Sequence, residues 1–166
     1  MIIAALGVLL FAHGTSGVIT ATTTSSSCVD AQEREFLTLI NQFRSAHGRR
    51  PLSMTLGAAL DHHGISMATY NYFSHDLTPE RITWSQNMAN HGYGYNVYKG
   101  ENIAAGQKTA LAAFNQFKES PTHRDVMLSG KFNAIGIGRA YHEGSTYGWY
   151  WTTDFGGKAD GKVMIC

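Results

Sequence analysis

The hydrophobic pattern of the chain changes period along its length, and this change limits the possible folds. From Asp30 onward, apolar residues recur at the spacing of helices. In the last third, Ile135 and Ile137 alternate with glycines, and the segment 147–155 alternates again after a turn near Gly144. Alternation is the period of strands, so two strands and a hairpin are predicted. Helices followed by an antiparallel hairpin indicate an α+β domain in which helices cover the sheet.

Capping signals divide the helical part into separate helices. Asp30 and Glu33 form a capping-box pattern that opens the first helix, which ends before Gly48 and Pro51. The second helix carries a stripe of residues at steps of four and three, namely Leu56, Leu60, His63, Met67 and Tyr70. N-cap or proline signals open three more helices, at Thr78-Pro79 (closed by Gly92), at Thr109 and at Ser120-Pro121.

The length and charge of the chain narrow the function classes. The 166 residues, of which 43% are hydrophobic and 15% charged, are enough for one substantial core and too few for two ordinary domains. Thirteen basic and twelve acidic residues give a net charge of +1, with no dense run of Lys or Arg. This pattern argues against nucleic acid as a partner.

The N-terminal segment has the features of an export signal. The apolar run 2–11 has the length of a signal-peptide core, small and hydroxylated residues follow it, and the run is too short to span a membrane. Because no Lys or Arg precedes it, a misassigned start or an incomplete N-terminus stays an alternative. We assign residues 1–21 to a signal peptide, 22–29 to a Thr/Ser-rich spacer and 30–166 to a single domain. The mature protein is expected to be secreted, monomeric and without a transmembrane segment.

The two cysteines stand at the two ends of this domain. Cys28 follows the Thr/Ser residues and Cys166 ends the given sequence. The termini of compact domains often lie close together, and disulfides persist in exported proteins. A Cys28–Cys166 disulfide is therefore predicted, with two unrelated thiols as the alternative.

Residues of ligand or proton-transfer type stand in three local signatures. His75 ends Tyr-Phe-Ser-His, Glu101 lies in Gly-Glu-Asn-Ile-Ala, and His123 lies in Ser-Pro-Thr-His-Arg, with Glu119 just before it. Imidazoles and carboxylates that converge can bind a divalent cation or move a proton. Each residue alone is also consistent with a purely structural role, such as capping backbone N–H groups.

These signatures, together with Asn41-Gln42-Phe43-Arg44, Pro51-Leu52 and Ile135-Gly136-Ile137-Gly138 in this order, resemble a CAP domain. That superfamily comprises cysteine-rich secretory proteins, antigen 5 and pathogenesis-related 1 proteins, and is also called SCP-like extracellular. The resemblance covers about 33–157, and it is strongest to the short, cysteine-poor form common in bacteria. It implies an α-β-α sandwich with helices packed on a small antiparallel sheet.

The resemblance also implies a cleft in which two histidines and two glutamates face one another. By motif, His75, Glu101 and His123 occupy three of the four positions. Relatives place the fourth, a glutamate, three residues after a Trp; here Phe117 stands at the Trp position and Ser120 follows at the expected spacing. Glu119 comes one residue early, about 100° away on a helix, and is included as the fourth cleft residue.

The predicted function is that of an extracellular binding module. His75 and His123 are the predicted ligands of a divalent cation such as zinc, no organic cofactor is expected, and no catalytic residue is assigned. The alternatives are a sterol- or lipid-binding protein, with the Tyr93–Tyr98 loop as aromatic surface, and a metal-dependent hydrolase of the peptidase type with Glu101 as general base. The partner is an unidentified extracellular ligand, either a sterol, a lipid or a protein.

The neighbouring pair His62 and His63 is interpreted differently. His63 lies on the apolar stripe of the second helix, so it is predicted to be a hydrogen-bonded core histidine and not a metal ligand. His62 is predicted to face solvent.

Overall fold

The computed structural model describes residues 28–55, 58–161 and 164–165. Within them, five helices and a four-stranded sheet form the domain, and two further short strands pair with each other. In chain order the elements are β1 (Cys28–Val29), α1 (Ala31–Ala46), β2 (Ser53–Met54), α2 (Ala58–Tyr70), α3 (Trp84–Asn90), β3 (Lys99–Ala105), α4 (Ala110–Glu119), α5 (Pro121–Leu128), β4 (Ala134–Tyr141), β5 (Trp149–Gly156) and β6 (Met164–Ile165).

The central sheet has the order β2-β4-β5-β3. The predicted hairpin is confirmed, because β4 and β5 pair in antiparallel fashion, and β3 pairs antiparallel with β5 on its other side. The short strand β2 pairs parallel with β4, so the sheet is antiparallel except at this edge. Strands β2 and β3 were not predicted as strands. β3 forms one edge of the sheet and carries the Gly-Glu-Asn signature.

Helices cover both faces of the sheet, as the α-β-α sandwich requires. On one face, α1, α4 and α5 pack their apolar residues against β4 and β5, around Phe36, Phe117 and Trp151. On the other face, α2 packs Met67 and Ala68 against the side chains of β3, β4 and β5 that point the opposite way, and α3 packs on α2. The α+β prediction is therefore confirmed.

Local capping chemistry placed the first, fourth and fifth helices correctly. The Asp30 carboxylate accepts hydrogen bonds from the backbone N–H groups of Gln32 and Glu33, and Glu33 accepts from the Asp30 N–H, which completes the capping box. Thr109 caps α4, and Pro121 is in the first turn of α5.

The predicted start of the third helix is wrong. The chain at Thr78-Pro79 does not enter a helix, because Leu77 and Ile82 pair as an isolated antiparallel bridge around a turn in which Arg81 has a φ of 55°. The helix begins later, at Trp84, where Thr83 and Gln86 form a capping box.

The stripe predicted for the second helix is also shorter than expected, since Tyr70 is 62% exposed. Leu56 lies outside the described residues.

The two ends of the domain lie side by side. β1 and β6 pair in parallel, with Cys28 opposite Met164. Two residues assigned to the spacer, Cys28 and Val29, thus belong to the folded domain. Cys166 and residues 1–27 lie outside the described residues, so the disulfide and the signal peptide stay predictions. None of the helices in the described ranges is long and apolar enough to cross a membrane.

Candidate functional site

Glu101 is the centre of a buried hydrogen-bond cluster on the α2 face of β3. Its side chain is 1% exposed, and each of its oxygens faces a histidine. Nδ1 of His75 lies 2.7 Å from Oε1, and Nδ1 of His63 lies 2.7 Å from Oε2. Both carboxylate oxygens are therefore engaged by imidazoles.

His63 is fully buried on α2 and connects two parts of the site. Besides Glu101, it contacts the backbone carbonyl of Ser74 through Nε2, at 3.0 Å. A carbonyl oxygen can only accept, so Nε2 carries a hydrogen. Since both ring nitrogens are engaged inside the protein, His63 holds the chain segment that carries His75 and offers no free ring nitrogen to a metal. The interpretation as a hydrogen-bonded core histidine is confirmed.

His75 presents its other nitrogen away from the cluster. The imidazole is 52% exposed, and Nδ1 is engaged by Glu101, which leaves Nε2 as the free ring nitrogen. The hydrogen bond to Glu101 raises the pKa of His75 above its ordinary value, although partial burial acts in the opposite direction. A carboxylate bonded to Nδ1 fixes both the orientation and the tautomer of an imidazole.

His123 approaches the same edge of the sheet from the other face. It lies in the first turns of α5, and its backbone carbonyl accepts a hydrogen bond of 3.0 Å from the side-chain amide of Asn102. Its ring packs against Phe117, with 5.1 Å between ring centroids. Burial, followed by the charge of His75, lowers the pKa of His123. Its Nδ1 is buried and has no hydrogen-bond partner among the described residues.

The Gly-Glu-Asn signature works through the alternation of a strand. Successive side chains of β3 point to opposite faces, so Glu101 orients His75 on one face while Asn102 holds the backbone at His123 on the other. At Gly100, an added Cβ would lie 2.9 Å from the ring of Phe132, so the strand approaches that ring closely. The sequence predicted the two histidines and Glu101, and it gave no role to Asn102.

Asp154 was missed as a site residue. It lies directly opposite Glu101 in the β3–β5 register and is buried. Burial, the charge of Glu101 and a hydrogen bond with Glu101 raise the pKa of Asp154 well above its ordinary value. Asp154 is therefore a second buried carboxyl group next to Glu101. The only sequence signal was its position in the alternating strand, on the same face as Tyr150 and Thr152.

The other residues singled out in the sequence make no hydrogen bond to Glu101, His63 or His75 within the described part of the chain. Glu119 is exposed at the end of α4 and makes no hydrogen bond or ion pair with the described part of the chain, so its place in the cleft stays a prediction without a supporting contact. His62, expected to face solvent, is partly exposed and bonds through Nδ1 to the Asn87 side chain at 2.9 Å. In the predicted aromatic loop, Tyr93 is buried and Tyr98 is 64% exposed.

A metal could use few protein ligands here. Among residues 28–55, 58–161 and 164–165, no three or more His, Cys, Asp or Glu side chains are grouped so as to hold a metal ion. With His63 and Glu101 engaged by each other, the candidate ligands reduce to His75 and His123.

A family profile matches most of the chain. The profile of the Cysteine-rich secretory protein family, CAP, matches residues 37–155, which include the strands of the central sheet except the last residue of β5, and every residue of the cluster. The chain belongs to the CAP family. This CAP domain is also 34% identical over 149 residues to YkwD of Bacillus subtilis (strain 168), a protein described as uncharacterized. The match covers 89% of this chain and 55% of YkwD, so the chain spans little more than half of that relative's length.

Solved structures show the same fold. An extracellular protein containing an SCP domain from Bacillus anthracis str. Ames aligns with a TM-score of 0.66 at 28% identity, over 75% of this chain and 40% of that one. An outer surface protein of Borrelia burgdorferi aligns with a TM-score of 0.63 at 17% identity, over 77% of this chain and 93% of that one. The CAP fold predicted from the sequence is thus confirmed, and its structural neighbours are described as extracellular or outer surface proteins.

Proposed function

We propose that this CAP domain is a secreted binding module whose cleft holds a divalent cation such as zinc between His75 and His123, and that it is not a hydrolase. One observation carries the proposal: Glu101 is buried, and both its oxygens are bonded to the Nδ1 atoms of histidines. It thereby orients His75 and leaves Nε2 free. Metal-binding histidines commonly have the same arrangement, in which one ring nitrogen is hydrogen-bonded to a carboxylate and the other binds the metal.

The two histidines fit a cation through their chemistry. A metal binds the neutral imidazole, a form that the lowered pKa of His123 favours and the raised pKa of His75 disfavours. His123 also has a buried nitrogen without a partner among the described residues, so its ring is not committed to another interaction on that side. Two protein ligands are fewer than the three or four of typical zinc sites, and water would complete the coordination. The affinity is therefore expected to be modest.

The same contacts argue against hydrolysis. A hydrolase of the expected type would need Glu101 to take a proton from water. A carboxylate that is 1% exposed, with each oxygen bonded to an imidazole, is shielded from water. Glu101 therefore serves to position His75.

Secretion is supported by the signal-like residues 1–21 and by the extracellular SCP-domain protein of Bacillus anthracis. The pairing of β1 with β6 brings the two ends of the domain together and is compatible with the Cys28–Cys166 disulfide. A sterol or lipid ligand stays the alternative. The Tyr93–Tyr98 loop gives it little support, because Tyr93 is buried and its hydroxyl donates to the carbonyl of Lys158 at 2.6 Å.

The test is calorimetric titration of zinc into metal-stripped protein. We expect about one ion per chain, with binding lost in both His75→Ala and His123→Ala and retained in His142→Ala, which removes an exposed histidine outside the cluster. Circular dichroism checks that each variant is folded. Absence of binding in the wild type, or binding that survives both cleft substitutions, would refute the metal site. Sterol capture unchanged in His75→Ala would support the lipid alternative.

A further inference from the structure

The edge strand β3 has a row of main-chain groups that point away from the sheet. In an antiparallel pair, alternate residues bond to the neighbouring strand and the others face outward. The Tyr98 carbonyl accepts from the Gly157 N–H, and the Gly106 N–H donates to the Trp149 carbonyl. The even-numbered residues of β3 therefore bond to β5, while the N–H and C=O groups of the odd-numbered residues face outward: Lys99, Glu101, Ile103 and Ala105.

These outward groups have no partner inside the described part of the chain. β3 pairs with β5 alone, and no side chain of the described residues bonds to the outward N–H or C=O groups. At Glu101 the whole residue is 7% exposed and the side chain only 1%, so the solvent reaches the main chain. The edge runs between His75 on one face and α5 with His123 on the other.

A depression lies beside the first residue of this edge. It measures about 490 Å³ and is formed by the start of β3, by α5 and by the segment that follows α5. Its lining includes the apolar residues Tyr98, Pro121, Val126 and Phe132, and the charged residues Lys99, Lys131 and Asp125. A strand added to the edge would reach this depression at one end.

We propose that the outer edge of β3 binds an extended peptide by strand addition, with one apolar side chain of the peptide in the depression. Alternating outward donors and acceptors match another extended main chain, and neither a sterol nor a lipid chain has such a series of groups. In strand addition, main-chain hydrogen bonds supply affinity, and a pocket for alternate side chains supplies selectivity. The inference goes beyond the cation site. Because the edge runs between His75 and His123, a cation bound to both histidines would lie over it, and we expect zinc and peptide to compete.

The test follows the backbone amides by NMR, in the presence of a chelator so that zinc has no part in the result. The probe is a short peptide of alternating threonine and valine with a glutamate at each end. Its β-branched residues favour the extended form, and its glutamates complement Lys99 and Lys131. With saturating peptide, we expect amide exchange at Glu101 and Ile103 to slow at least about tenfold and that of Asn102 and Ala104 to stay unchanged.

A pair of variants isolates one main-chain donor. Ala105→Pro removes an outward N–H at the end of an edge strand, where proline is tolerated, and Ala105→Ser keeps that N–H. The loss of one hydrogen bond should weaken peptide binding about fivefold in Ala105→Pro, and binding to Ala105→Ser should match the wild type. Fluorescence anisotropy of labelled peptide gives both values, after circular dichroism has confirmed folding.

Several outcomes would overturn the proposal. Slow exchange of the outward amides in the free protein would mean that the edge is already covered. Equal binding by both Ala105 variants, protection elsewhere than β3, or no binding at about 1 mM peptide would exclude strand addition. Protection that grows with protein concentration in the absence of peptide would assign the edge to a second copy of the chain.

Discussion

Replacing Glu101 by glutamine tests the central hydrogen-bond cluster. Glutamine has the same shape, but it is uncharged and only one of its terminal atoms accepts, so one of the two imidazoles faces an amide NH2 group instead of a carboxylate oxygen. A hydrogen bond to a charged group contributes about 1.5–3 kcal/mol. Part of the loss is offset because removing the charge of Glu101 removes one cause of the raised pKa of Asp154. We therefore expect a net destabilisation of about 2 kcal/mol, or a decrease in Tm of about 4–10 °C.

Two readouts separate this reasoning from general damage. Urea unfolding gives the stability change, and Glu119→Gln is the matched control, since that glutamate is exposed and should change stability by less than about 0.5 kcal/mol. NMR titration then reports the pKa of His75. The hydrogen bond to Glu101 is the largest contribution that raises the pKa of His75, so the pKa of His75 should fall in Glu101→Gln. Unchanged stability together with an unchanged His75 titration would refute the cluster as described.

Two further predictions concern buried carboxyl groups. Burial raises the pKa of Glu33 from 4.5 to about 7, so the neutral form stabilises the fold and that stability is lost as the pH rises from about 4.5 through 7. This loss amounts to at most about 3 kcal/mol. Glu33→Gln preserves a capping box and should make the free energy of unfolding, measured in urea at several pH values, depend less on pH. An unchanged pH dependence would contradict the raised pKa of Glu33. Asp154→Asn keeps a donor for Glu101 and should lower the free energy of unfolding by less than about 1 kcal/mol at pH 7. Asp154→Ala removes that donor and should lower the free energy of unfolding further in the same assay. Equal effects of the two Asp154 substitutions would contradict a hydrogen bond between Asp154 and Glu101.

The helices show where local sequence is sufficient. Asp30 and Glu33 bond to each other's backbone within one turn, so their capping box could be read without knowing the rest of the fold. The third helix was predicted to begin too early, because Thr78-Pro79 is as good a local signal for a helix start as the actual cap at Thr83. A contact between Leu77 and Ile82 turns the chain there, and the sequence signal for a cap carries no information about that contact.

The strands show the same limit. β4 and β5 were predicted from their alternation, but β3 was not, since only its pairing with β5 makes 99–105 a strand. That pairing also sets which backbone groups face outward.

The sequence alone determined the fold class and the family, because helical and strand periods are local and the family motifs are contiguous. The same motifs singled out His75, Glu101 and His123. It also indicated that His63 is a core histidine. Only the tertiary structure decided what surrounds Glu101: His63 and His75 reach it from α2 and the following loop, and Asp154 from β5. The bonding of its two oxygens, and with it the role of Glu101 as a positioning group, depends on these contacts between distant parts of the chain. Such contacts form only when the sheet and its covering helices are packed, and no spacing in the sequence specifies them.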